Sequence, residues 1–238
     1  YSEKRFFIIF LFAFFFTGAF YSLQTGLSID EWQEQRNWEY NVALFKHILF
    51  ENELDPLFKN YGDKYYGVGF QILSQPIQFF LSGIILKFQN INNFGAHLLA
   101  KHLVVFITFF TSGIFVYLII SKIINNSSFC ITATVLYLLY PYLFGHGLFN
   151  PKDIPFLCFW IICTYVSINI FNNLLNNKDL KYSDVLLIAF LSSFLFSIRV
   201  AGVLIFMQYV FTFIIFLKSK KLSLNSFIKN TYKKILFF

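Results

Sequence analysis

Residues 185–217 carry a single charged side chain, Arg199. As one α-helix those 33 residues would be about 50 Å long, well beyond a bilayer core of roughly 30 Å. The run therefore reads as two short spans with a turn at or near Arg199 and Gly202. Comparable apolar runs cover residues 6–23, 97–120, 129–143 and 154–171, with short polar connections at 121–128, 145–153 and 172–184. This pattern specifies an all-α, polytopic helical membrane protein with about six spans. The charged fraction, 13%, is about half that of a soluble domain.

Charge placement sets the expected topology. Lys4 and Arg5 precede the first span, so the N-terminus is cytoplasmic. Residues 68–88 are long enough to cross, but Gln71, Gln75, Gln78 and Ser82 form a polar stripe and Pro76 sits midway. Such a stripe against lipid is costly, which favours a helix lying beside the membrane. With that assignment Lys122, Lys178, Lys181, Lys218, Lys220 and Lys221 all fall inside. If residues 68–88 crossed, Lys178, Lys181 and the Lys218–Lys221 cluster would all move outside, against the positive-inside rule. The external side then holds a long first loop, 24–96, the loop 145–153, and Arg199. Eight of the twelve acids lie in the first loop. The net charge of +7 is thus cytoplasmic-loop charge and gives no reason to expect nucleic acid. Cys130, Cys158 and Cys163 lie in apolar runs without metal-ligand spacing and read as small core residues.

Within the first loop, Ser28 and Glu31 have capping-box spacing, so a helix should start near Ile29. Trp38, Val42, Phe45 and Leu49 give that helix one apolar face, as for a helix on a membrane surface. Asp55-Pro56 and Tyr61-Gly62-Asp63 should break it. Residues 218–238 read as a cytoplasmic segment and the opening of a further span. The 238 residues then form one transmembrane domain, expected to be the N-terminal part of a longer protein.

Polar side chains are sparse enough to name. Asp30 and Glu31 could take a proton from a hydroxyl or hold a divalent cation; equally, they could complete the capping box and complement the helix dipole. The loop Gly145-His146 through Asn150-Pro151-Lys152-Asp153-Ile154-Pro155 is tight and irregular, and at membrane depth it needs protein or a wet cavity around it. Arg199 needs an anion, either a lipid phosphate held bidentately or Asp153. Lys101 and His102, at the outer start of a span, could add to a phosphate site. His97 reads as interfacial and His47 has no sequence partner.

Taken together these features resemble the polytopic GT-C glycosyltransferases, in particular the bacterial branch of aminoarabinose transferases and protein O-mannosyltransferases. The resemblance rests on Asp30-Glu31 after the first span, helices filling the first external loop, the run from Tyr140 to Pro155, and Arg199 closing a short span. It implies transfer of a sugar from a polyprenyl-phosphate donor to a lipid, glycan or protein acceptor on the periplasmic face of the inner membrane, with inversion. By that likeness Asp30 is the general base, Glu31 assists or helps bind a divalent cation, and Asp153 orients the acceptor or the base. Lys152, Arg199, Lys101 and His102 stabilise the leaving lipid phosphate, and His146 and Asn150 belong to the same loop. A helix N-terminus depresses an Asp pKa, weakening it as a base, and contact with Asp153 would raise it again. A transporter or lipid flippase also fits broken helices and sparse charge, although no internal repeat is visible.

Overall fold

The computed structural model describes residues 2–50, 61–62, 66–178 and 180–221, without the side chains of Ile29 and Asp30. The expected break at Asp55-Pro56, Asp63 and the expected further span after residue 221 lie outside the described residues. Nine α-helices and one 3-10 turn, and no strand, make up the described chain. They are α1 (Ser2–Ser22), α2 (Ile29–Phe50), α3 (Gly69–Phe88), α4 (Asn93–Ile123), α5 (Ser127–Leu139), α6 (Pro141–Gly147), α7 (Asp153–Leu175), α8 (Tyr182–Ile198), the 3-10 turn Val200–Leu204, and α9 (Ile205–Ser219).

Local chemistry explains the boundaries. Asn92 and Asn126 each turn a side-chain oxygen onto a backbone amide of the helix they precede, Gly95 N at 2.7 Å and Phe129 N at 3.1 Å. The expected single span over 129–143 is instead two helices meeting at 61°. Tyr140 precedes Pro141, the proline ring disfavours a helical Tyr140, and that residue turns extended (ψ 116°). The long run 185–217 breaks at Arg199, whose backbone is extended (φ −148°, ψ 138°), and a single 3-10 turn leads into α9.

Helix α4 is the axis of the bundle. Val105, Phe106 and Phe109 are fully buried, and around them pack Phe14 of α1, Phe70 of α3, Leu138 of α5, Ile154 of α7 and Ile198 of α8. A second cluster, Cys163, Leu191, Leu195 and Ile205, joins α7, α8 and α9. The three cysteines are buried and unpaired. Elsewhere large apolar side chains point outward, among them Phe12, Phe79, Phe190 and Phe211. Apolar exposure on this scale is incompatible with a water-facing surface and suits lipid. Among the described residues five helices are long and apolar enough to cross a membrane, or six with the bent pair α5–α6. The chain is a multi-pass helical membrane protein.

By length and composition α3 belongs to those five. Its contacts, however, keep both ends at one end of the bundle. Gly67 and Gly69 lie so close to Ser197 and Ile198 that a Cβ on either would sit within 2.3 Å of them. At the other end Ile85 packs with Ala96 and Ala100 of α4 and with Leu23. Midway, Gln75 Nε2 is 3.3 Å from His97 Nε2. The helix therefore runs across the top of α4 rather than alongside its full length. Its polar stripe faces inward, with Gln71, Ser74 and Gln78 buried and Gln78 donating to Ser74 Oγ at 2.6 Å. Phe79 and Phe80 face out.

Candidate functional site: a buried polar cluster at one end of the bundle

Alternation of the helices brings three connections to one end: the described parts of 23–92, then 148–152 and Arg199. The opposite end holds the start of α1 and of α5, joined by Ser128 Oγ to Glu3 Oε2 at 2.8 Å. The two ends differ in kind. The first is rich in buried charge, the second in exposed lysine.

Helix α2 begins as the capping pattern requires. Ser28 N donates to Glu31 Oε2 at 2.7 Å. Only half of the box forms, since the buried Ser28 hydroxyl has no partner. The second Glu31 oxygen lies 2.6 Å from His102 Nε2, with both side chains buried. His102 Nδ1 in turn faces the Ser22 carbonyl at 3.3 Å. A carbonyl only accepts, so Nδ1 carries a proton. His102 thus ties the end of α1, the start of α2 and the body of α4 together. Lys101 beside it is also fully buried, with Nζ 3.3 Å from Gln35 Oε1 and Glu31, Glu34 and Glu39 as the surrounding carboxylates.

One turn beyond Glu31, Glu34 makes the contact that closes the site. Its carboxylate is 3.2 Å from Lys152 Nζ, across more than a hundred residues of sequence. Lys152 also sits over the Tyr66 ring, 3.6 Å from its centroid. Asn150 shapes the turn that presents it. Its side-chain oxygen accepts from Lys152 N at 3.1 Å and Asp153 N at 2.9 Å. Its amide reaches Asp153 Oδ2 at 3.3 Å and His146 Nδ1 at 3.0 Å. Asp153 pairs with Arg199, whose guanidinium lies 6.0 Å from the Phe156 ring. So Glu31, Glu34, Lys101, His102, His146, Asn150, Lys152, Asp153 and Arg199 belong to one end of the fold, and Tyr66 joins them.

Placement differs from the expected roles in several respects. Lys101 and His102 are sealed inside the packing rather than facing a lipid phosphate. Both Glu31 oxygens are engaged, one by Ser28 N and the other by His102 Nε2. Among the described residues no three His, Cys, Asp or Glu side chains come close enough to hold a metal ion. The Asp30 side chain lies outside the described residues. Arg199 has Asp153 as its anion. Nothing in the sequence singles out Tyr66, and Glu34 is signalled only by lying three residues from Glu31, on the same helix face.

Comparison with known protein families, curated proteins and solved structures finds no match to this chain. Its chemistry must therefore be read from the cluster.

Burial pushes the Glu34 carboxyl above the usual carboxylate range, against the opposing pull of Lys152. Hydrogen bonding from Lys152, with Arg199 adding to it, holds the Tyr66 phenol below its ordinary value. These opposite shifts give a testable sign. A carboxyl with a raised folded-state pKa stabilises the fold fully below its unfolded pKa, and that contribution is lost as pH rises through the folded value. Thermal unfolding in detergent should accordingly fall as pH rises upward from the ordinary carboxylate range. Glu34→Gln should flatten that part of the profile. A variant profile that superimposes on wild type would remove Glu34 as its source.

Proposed function

We propose that the chain is the membrane core of a glycosyltransferase of the GT-C kind, acting on a polyprenyl-phosphate-linked sugar at the periplasmic face of the inner membrane with its N-terminus in the cytoplasm. The observation that carries this reading is the Glu34–Lys152 contact, which joins the acidic helix of the first loop to the Lys-Asp loop. A transferase of this type needs carboxylate and cation side by side at the membrane surface.

In this reading the acceptor hydroxyl gives its proton to a carboxylate of α2, and its oxygen attacks the anomeric carbon as the bond to the donor phosphate breaks. The leaving polyprenyl phosphate keeps the bonding electron pair. Lys152 and Arg199 are the two partly accessible cations of the cluster, and they meet that charge. Asp30 remains the base that the resemblance implies. Glu34 is a second carboxylate on the same helix, and a carboxyl of raised pKa is a better proton acceptor near neutrality than one at a helix N-terminus. Asp153 holds Arg199 until a phosphate competes for it.

The deciding experiment uses the full-length protein in proteoliposomes loaded with a radiolabelled polyprenyl-phosphate sugar. The expected result is label moved to an acceptor, with Asp30→Asn inactive but inserted normally. Donor moved between leaflets with its sugar bond intact would show a flippase instead. In the same vesicles, a membrane-impermeant thiol reagent applied from the periplasmic side should modify Gly26→Cys and miss Lys178→Cys, both at exposed positions.

A further inference from the structure

The lysine-rich end of the bundle carries a separate feature. Between α7, α8 and α9 lies an apolar groove of about 260 Å³. Phe171 and Leu174 of α7, Val185 and Ile188 of α8, and Thr212 and Phe216 of α9 form its walls. Its mouth is framed by the two segments that follow α7 and end α9. Lys220 Nζ joins them by donating to Asn177 Oδ1 at 2.8 Å. Asn177 and Lys221 both adopt left-handed backbone (φ 56° and 51°), so each segment turns sharply at its helix end. Lys178, Lys181, Lys218 and Lys221 are exposed around that mouth. In sequence these five lysines are accompanied by two acids, Asp179 and Asp184, a balance of five minus two, or +3.

We propose that this groove is a binding site for one anionic phospholipid, its acyl chain between α7, α8 and α9 and its phosphate among the lysines. The groove alone would accept any acyl chain. Charge selects the headgroup, because basic pockets between helices at a membrane surface bind acidic lipid headgroups, each lysine near the surface contributing on the order of a five-fold gain in affinity. The site is independent of the buried cluster at the other end, which shares none of these residues. Its position across α7, α8 and α9 means that a bound lipid would bridge the helices on either side of the Arg199 turn.

The test is native mass spectrometry of the purified full chain in detergent, titrated with phosphatidylglycerol and with phosphatidylcholine of identical acyl chains. The expected result is one retained phosphatidylglycerol per chain at concentrations where phosphatidylcholine is stripped. A Lys178→Gln/Lys218→Gln/Lys220→Gln variant should lower phosphatidylglycerol affinity roughly 100-fold. Thr212→Trp, which fills the groove and leaves every lysine in place, should also remove the adduct. Glycerol phosphate, which has the anion without the chains, should not compete. Equal retention of both lipids, an unchanged adduct in either variant, or competition by glycerol phosphate would each overturn the proposal. Both variants should keep the wild-type melting temperature in lipid-free detergent within a few degrees, and the adduct is scored only on chains that do.

Discussion

Glu31→Ala should lower the stability of the chain by about 3–5 kcal/mol, the usual cost of removing one partner from a buried ion pair. Three losses coincide at that position. His102 keeps a proton on Nδ1 for the Ser22 carbonyl but loses its acceptor on the other nitrogen. Ser28 N loses the carboxylate that caps the first turn of α2. Lys101, buried beside them, loses one of its three surrounding carboxylates. Glu31→Gln keeps an oxygen for Ser28 N and an amide for a neutral imidazole, so it should cost only about 1 kcal/mol. Glu31→Leu with His102→Leu should cost less than the sum of the two single changes, since an apolar pair leaves no orphaned charge. The measurement is thermal or urea unfolding in detergent, followed by tryptophan fluorescence in a Trp38→Phe/Trp160→Phe background, where Trp32, tilted against Phe94 with ring centroids 5.7 Å apart, is the reporter. In Glu31→Ala that emission should also shift to the red below the main transition, because α2 leaves the bundle first. A cost under about 1 kcal/mol for Glu31→Ala would mean that the pair is solvated and that α2 is held by other contacts.

The parts of this fold that sequence made legible are those governed by length and by single residues of large cost. A stretch of 33 residues with one charge cannot be one span, and the chain turns at Arg199, the sole charge in that stretch. The half-capping box at Ser28 and Glu31 was readable for the same reason, since its spacing has one structural use. The bend at Tyr140 was also signalled, by Pro141, but hydropathy runs straight through it. What periodicity could not supply was partnership. Glu34 is one acid among eight in the first loop, and nothing local marks it as the one that meets Lys152. Tyr66 is one of fourteen tyrosines, and its place beside Lys152 follows from the close packing of Gly67 and Gly69 on the end of α8. Lys101 and His102 stand at the outer start of an apolar run, a place that suits a phosphate contact. Tertiary packing of α2 and α3 over α4 buried them instead. Contacts between residues far apart in sequence depend on how helices cross, and a one-dimensional pattern carries little of that.

Arg199→Ala should reduce sugar transfer by about 10²–10³-fold, the usual loss when a preorganised cation that meets developing charge is removed. The structure holds Arg199 ready for such a role in three ways. Its backbone is extended at the break between α8 and the 3-10 turn, so the residue stands at a bend rather than within a helix. Asp153 orients the guanidinium from the first turn of α7. Phe156, one turn on, lies beneath it. At about one-third exposure the arginine is open enough to exchange partners, unlike Lys101, which is sealed. A purely structural pairing predicts something different. If Arg199 serves only to neutralise Asp153, then Arg199→Ala and Asp153→Ala should cost the same, and the double variant should recover much of the loss, because no charge is then left alone. If Arg199 meets a phosphate, Asp153→Asn should be the milder change, since it frees the guanidinium while keeping a polar neighbour. The double variant should then be as inactive as Arg199→Ala. The donor's KM separates the cases further. A cation that binds phosphate equally in ground and transition states shifts KM alone, whereas one that meets charge formed as the bond breaks lowers kcat and kcat/KM together. Arg199→Lys supplies the last control: it keeps the charge and loses the planar fork, so it should recover part of the activity, and full recovery would show that bidentate geometry is unimportant.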